Sequence, residues 1–265
     1  MPKIFLDNKG SHILLVTGCF RSGTTAMASA LNRHKDIFCS NEMRVFSKDF
    51  FAKNNKGIPA DDRYMDMEKW FENKKITTSR EYFDIANICR KNEAKPKIFG
   101  DKLPAYLGNL GNLGRMVKSL DYIKSIWEVY PKVILMYRDP RDVIESQVRR
   151  WSPGAAFWTH PDPISAISSF PSWLDRMMAW SDFRNKFDID CIEIRYESLL
   201  DRPVEIAESL AIYLDVDVEE MKEVITSKYS NEISNRGKWK EKYPDLTDLL
   251  PEKWKIMMET YSILI

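Results

Sequence analysis

The stretch Ile13-Leu14-Leu15-Val16-Thr17-Gly18-Cys19-Phe20-Arg21-Ser22-Gly23-Thr24-Thr25 constrains the fold more than any other part of this 265-residue chain. An apolar, β-branched run passes through two glycines into Ala26-Met27-Ala28-Ser29-Ala30-Leu31, whose small and apolar residues suit a helix packed closely on a sheet. A strand that turns through Gly-x-x-x-x-Gly into a helix aims successive backbone N–H groups inward at the helix N-terminus. There the helix dipole also favours negative charge, so the turn is built to hold a phosphate.

The rest of the chain repeats the alternation. Short β-rich runs are expected at Ile37-Phe38-Cys39, Lys97 to Asp101, Lys132 to Tyr137 and Cys191 to Arg195. Helical patterns fill the gaps, with helices near 203–213 and 217–228, a polar loop around 234–242 and a final helix from about 245. Residues 51–95 read as helical and loop insertions over the sheet's carboxyl edge. Residues 151–171, with four prolines and four aromatics, read as a structured loop able to cap a substrate pocket. This order predicts an α/β protein, a three-layer α/β/α sandwich on a mainly parallel sheet. No low-complexity linker divides the chain, so residues 1–265 are expected to form one domain.

Composition narrows the function classes. Forty Lys and Arg against 39 Asp and Glu leave a formal charge of +1, so no global field draws the protein onto nucleic acid or an anionic membrane. An anionic ligand must be held by local geometry. Cys19, Cys39, Cys89 and Cys191 form no CxxC pair and read as reduced core residues; no metal site is expected. No secretion signal, 18-residue apolar run or prenylation box is visible, and the expected location is the cytoplasm.

In a Walker A loop a lysine would stand at Thr24, reaching the β and γ phosphates; here the cation is Arg21, inside the loop. Arg21-Ser22-Gly23-Thr24-Thr25 resembles the 5′-phosphosulfate loop of the sulfotransferases that use 3′-phosphoadenosine 5′-phosphosulfate (PAPS). A second motif strengthens the resemblance. Val133 to Tyr137 is a strand ending at Arg138, followed by Asp139, a proline suited to a first helical position, and a helix reaching Ser146. It is similar to the family's 3′-phosphate motif, in which an arginine and a serine eight residues later contact the nucleotide's 3′-phosphate. Arg138 offers a planar fork for phosphate oxygens and Ser146 a hydroxyl donor. Ile194-Arg195-Tyr196-Glu197-Ser198-Leu199 resembles the segment whose tyrosine approaches the adenine. Arg236-Gly237-Lys238-Trp239-Lys240 resembles the late loop that covers the nucleotide, although a tryptophan there equally suits core packing. The resemblance implies a P-loop-like sulfotransferase fold, with PAPS as donor, adenosine 3′,5′-bisphosphate (PAP) as product, and no metal.

Sulfuryl transfer needs cations at the leaving 5′-phosphate and a base at the acceptor. Arg21 and the loop amides suit the first role, with Thr24 and Thr25 as hydroxyl donors. Lys102, in Phe99-Gly100-Asp101-Lys102-Leu103-Pro104, resembles the family lysine at the end of the third strand that contacts the bridging oxygen. Ile37 to Val45 is similar to the tyrosylprotein branch, whose glutamate after the second strand is the general base; this places Glu42 as base and Arg44 at the acceptor. His160 is the other candidate base and an acceptor-side residue. His12 lies in the first strand, and His34 reads as a surface or capping residue. The reading is a sulfotransferase acting on a small-molecule, carbohydrate or peptide hydroxyl, or an amine. A P-loop small-molecule kinase using ATP and magnesium, and a non-catalytic nucleotide-binding protein, are the alternatives.

Overall fold

The computed structural model describes residues 12–41, 96–102, 123–125, 128–154, 159–169, 189–230 and 236–263. Its five strands are β1 (His12–Gly18), β2 (Ile37–Asn41), β3 (Ile98–Lys102), β4 (Lys132–Tyr137) and β5 (Cys191–Arg195). They form one sheet in the order β2-β3-β1-β4-β5, with every pair parallel. Parallel neighbours need crossovers that cover the faces, which is why β1 and β4 carry continuous apolar runs rather than alternating ones. Ile13 to Val16 and Val133 to Met136 are buried along their whole length. The register pairs Val16 with Lys102 and Lys102 with Asn41, so these strands end at one edge. β1 lies between β3 and β4, and the crevice beyond its carboxyl end is where open α/β sheets bind ligands.

α1 (Thr24–Leu31) leaves β1 through the glycine loop and packs on β1, β2 and β3. Behind it lie α5 (Pro203–Leu214) and α6 (Val218–Tyr229), and Leu14, Val16, Met27, Leu31, Leu210 and Ile225 join in one core. On the sheet's other face Phe38 and Phe99 meet at a ring-centroid distance of 6.5 Å. α2 (Pro140–Arg149) follows β4; Asp139 caps it by accepting from the Arg141 N–H at 2.9 Å, with Pro140 at the first helical position.

Several expected boundaries move. β3 runs to Lys102 rather than Asp101, so that lysine is part of the strand and fully buried. Inside the proline-rich 151–171 segment lies α3 (Pro163–Ser169), started by Asp162, whose carboxylate accepts from the Ser165 N–H at 2.9 Å and the Ser165 hydroxyl at 2.6 Å. Aspartate followed by proline is the same start signal that opens α2. Tyr196 is not strand end but the first residue of α4 (Tyr196–Asp201). The 234–242 loop contains α7 (Trp239–Lys242). The final helix splits into α8 (Leu246–Leu249) and α9 (Glu252–Ile263), because Pro251 cannot continue a helical turn. Cys19 and Cys39 are buried, Cys191 is only half-buried, and Cys89 and residues 51–95 lie outside the described residues.

His34 is not a surface residue: it is fully buried at the joint between α1 and β2. Nδ1 accepts from the Asp36 N–H at 3.1 Å, while Nε2 faces the Asp217 carbonyl at 3.4 Å and the Glu220 carboxylate at 3.7 Å. The neutral ring with its proton on Nε2 satisfies both neighbours, whereas a second proton on Nδ1 would oppose the Asp36 N–H. Burial pushes the His34 pKa down, and Glu220, the Asp217 carbonyl and Asp36 only partly oppose it. Because the unfolded chain then takes up the proton first, stability falls as pH drops below about 6.5. Urea titrations between pH 7.5 and 5.5 should show this loss, and His34→Gln should remove its histidine component; a pH dependence identical in the two proteins would refute the assignment.

Candidate active site

At the carboxyl end of β1 the loop turns on two glycines. A Cβ on Gly18 would stand 2.4 Å from the Met136 carbonyl oxygen, and Gly23 adopts φ 94°, where a Cβ would stand 2.5 Å from Cδ2 of the Tyr196 ring. Arg21 takes the left-handed conformation at φ 69° without being glycine. The Ser22 hydroxyl and N–H both donate to the Cys19 carbonyl, at 2.7 and 3.2 Å, so Ser22 shapes the turn with its own donors. Gly23 caps α1 without a side chain, and the first turn holds no acid. Thr24 is buried there and Thr25 exposed.

The two motifs meet at Arg21. Its Nε donates to Ser146 Oγ at 3.0 Å, across 125 residues of sequence. Arg138 Nη1 donates to the Arg21 carbonyl oxygen at 3.1 Å, and the Arg138 guanidinium lies 4.6 Å from the centroid of the Tyr196 ring. One arginine therefore has its side chain held by Ser146 and its backbone held by Arg138, while Tyr196 lies against both Arg138 and Gly23. The surroundings are strongly cationic: burial first, then Arg150, Arg138 and Arg149, lower the Arg21 pKa to about 10, with Glu145 acting the other way. Arg21 stays charged at neutral pH. Four guanidiniums held this close repel one another, and an anion between them relieves that repulsion.

Lys102 is fully buried on β3 beside Val16 of β1, on the sheet face that α1 covers. On the opposite face Asp101, 1% exposed, accepts from the Ser40 hydroxyl at 2.7 Å. Glu42 and Arg44 lie outside the described residues, which end at Asn41 on this side. His160 is half-buried, and burial lowers its pKa against the pull of Asp162; it stands two residues before the cap of α3, which packs on α2.

The late loop is tied to α2. The Gly237 N–H donates to Asp142 Oδ2 at 3.0 Å, and Lys242 Nζ reaches Glu145 at 3.1 Å. Arg141, paired with Asp139, stacks its guanidinium 4.3 Å from the Trp239 ring. Trp239 is 8% exposed and packs beneath that guanidinium. Arg236 pairs with Asp201 of α4 at 2.6 Å, and Lys238 is half-buried. Sequence reasoning missed Asp142, Glu145, Arg149 and Arg150. The two arginines, three and four residues beyond Ser146, fall one turn along the same helix, which is the signal that could have found them.

The fold and the glycine loop define an α/β protein with clustered guanidiniums at the carboxyl edge of a parallel sheet. A family model described as the sulfotransferase family matches residues 14–220, and the chain belongs to that family. The chain is 26% identical over 215 residues to a putative protein-tyrosine sulfotransferase of Caenorhabditis briggsae, covering 77% of this chain and 65% of that one. To protein-tyrosine sulfotransferase 1 of Danio rerio it is 24% identical over 220 residues, 80% of this chain and 55% of that one. It thus spans less than two thirds of these relatives' length. Among solved structures the sulfotransferase domain from the curacin biosynthetic pathway superposes with a TM-score of 0.55 at 17% identity, over 83% of this chain and 78% of that one, a likeness of fold. No helix among the described residues is long and apolar enough to cross a membrane.

Gln147, next to Ser146, is fully buried, and neither its amide nitrogen nor its oxygen has a hydrogen-bond partner among the described residues. An unmet buried amide costs about 1–3 kcal/mol. Gln147→Met, of similar shape and apolar, should raise the melting temperature of the unliganded protein by about 2–4 °C; an unchanged or lower melting temperature would show that the carboxamide is satisfied in solution.

Proposed function

We propose that the protein transfers the sulfuryl group from PAPS to a hydroxyl acceptor. The observation that carries this reading is the convergence of Ser146 and Arg138 on Arg21, which joins the two anion motifs into one cationic site. The residues fit the donor. Loop amides at the start of α1 and the Arg21 guanidinium suit the 5′-phosphosulfate, Arg138 and the Ser146 hydroxyl suit the 3′-phosphate, and Tyr196, buried against Gly23 and Arg138, is the residue the resemblance assigns to the adenine side. PAP is then the product. Thr24, where a kinase loop has its lysine, weighs against an ATP and magnesium site.

In the reaction the acceptor oxygen attacks sulfur in line, and the bond from sulfur to the bridging oxygen breaks. That electron pair goes to the 5′-phosphate, and the acceptor proton passes to Glu42, the base in this reading. Arg21 and Lys102 stabilise the charge on the leaving phosphate. Arg44 and His160 belong to the acceptor side. The names of the two relatives favour a phenolic hydroxyl of protein tyrosine as acceptor.

Melting curves with PAP, and with ATP with and without magnesium, test the donor. PAP at 100 times its dissociation constant should stabilise the protein by about 2.7 kcal/mol without magnesium, and Arg138→Ala should weaken that binding by about 1.5–3 kcal/mol. A response confined to ATP with magnesium would replace this reading by the kinase one. Glu42→Gln should keep PAP affinity and lose turnover of PAPS; normal turnover in that variant would move the base to His160.

A further inference from the structure

A carboxylate buried beside an anion site works against the anion, and Glu145 is such a carboxylate. It precedes Ser146 on α2 and is 2% exposed. Its Oε1 accepts from Arg149 Nε at 3.0 Å and from Lys242 Nζ at 3.1 Å, and Arg149 Nε also reaches Oε2 at 3.4 Å. Arg149 is 39% exposed and Lys242 49% exposed, so each would otherwise spread into solvent on a flexible stem. Arg149 lies close enough to Arg21 to act on its charge. Lys242 closes α7, in the segment that Asp142 grips at the Gly237 N–H and Arg141 grips through Trp239.

We infer that Glu145 is a positioning residue for the donor's 3′-phosphate: its carboxylate holds Lys242 and Arg149 side by side at the edge of the Arg21–Arg138–Ser146 cluster. The inference rests on the nucleotide reading proposed above and gives the buried acid a role within it. Glu145 accepts some repulsion of the incoming phosphate in return for cations already gathered when the phosphate arrives, which lowers the ordering cost of binding. The sign of its effect follows. As a bystander charge Glu145 weakens anion binding, and its removal tightens it; as a positioning residue it strengthens binding, and its removal loosens it.

Calorimetric titration of adenosine 3′,5′-bisphosphate and adenosine 5′-monophosphate into the wild type, Glu145→Gln, Lys242→Met and the double variant separates these cases. Glu145→Gln should lower bisphosphate affinity roughly five- to tenfold, the weight of a charge-assisted contact partly lost. Affinity for the monophosphate, which lacks the 3′-phosphate, should stay within about twofold. The double variant should bind the bisphosphate no more weakly than Glu145→Gln, because Lys242 acts through the carboxylate. Unchanged or tighter bisphosphate binding by Glu145→Gln overturns the inference. So do equal losses for both ligands, which mark a general packing defect, and additive losses in the double variant. A wild type that binds neither nucleotide removes the donor reading itself, whereas bisphosphate binding indifferent to Glu145 removes only this inference.

Discussion

Arg21 is the residue on which the site depends. A non-glycine residue in the left-handed region carries a conformational cost, and here two distant contacts hold it in place: Ser146 takes its side chain, Arg138 its carbonyl. Both come from the segment after β4, so the arginine is set only when β4 has paired with β1. The parallel register that places Gly18 beside Met136 is therefore also what brings the two motifs together. Sheet and site are one construction, and Tyr196, the first residue after β5, seals it by lying on Gly23 and under Arg138.

Electrostatics explains why so much of α2 is polar and yet buried. Asp142, Glu145, Ser146 and Gln147 are all at most 2% exposed, an unusual load for one helix. The first three each bond a different neighbour: Asp142 through Oδ2 to Gly237, Glu145 to Arg149 and Lys242, Ser146 to Arg21. With a formal charge of only +1 over the chain, the cationic character is a local product of this arrangement rather than of composition. Asp142, whose pKa burial raises, and Glu145 are the acids that tie the late segment to this helix.

What the sequence made legible was whatever depends on neighbours in the chain. Gly18 to Gly23 between an apolar run and a helix, Asp139-Pro140 as a helix start, and Arg138 with Ser146 could each be read directly, and the parallel sheet followed from the alternation. What stayed hidden depends on distant partners or on competing local signals. Prolines around Asp162-Pro163 read as loop although the pair starts a helix. The burial of His34 is decided by α6, more than 180 residues away, as its contact with Asp217 shows. Arg236, chosen for its charge, forms an ion pair with Asp201 at the end of α4, a partner the strand-end reading did not include. Lys102 was legible as a residue but not as a fully buried one, since that depends on its pairing between Asn41 and Val16.

The match to the family ends at residue 220, before α7, α8 and α9, yet the residues that hold the late segment lie inside the match, on α2. Asp142, Glu145 and Arg141 bond Gly237, Lys242 and Trp239 across about 95 residues, so the later segment is positioned from within the shared core. A segment fastened this way gains little rigidity from its own short helices, four residues each in α7 and α8, and most of it from α2. The helix that carries Ser146 on one side thus carries the grip on the late segment on another.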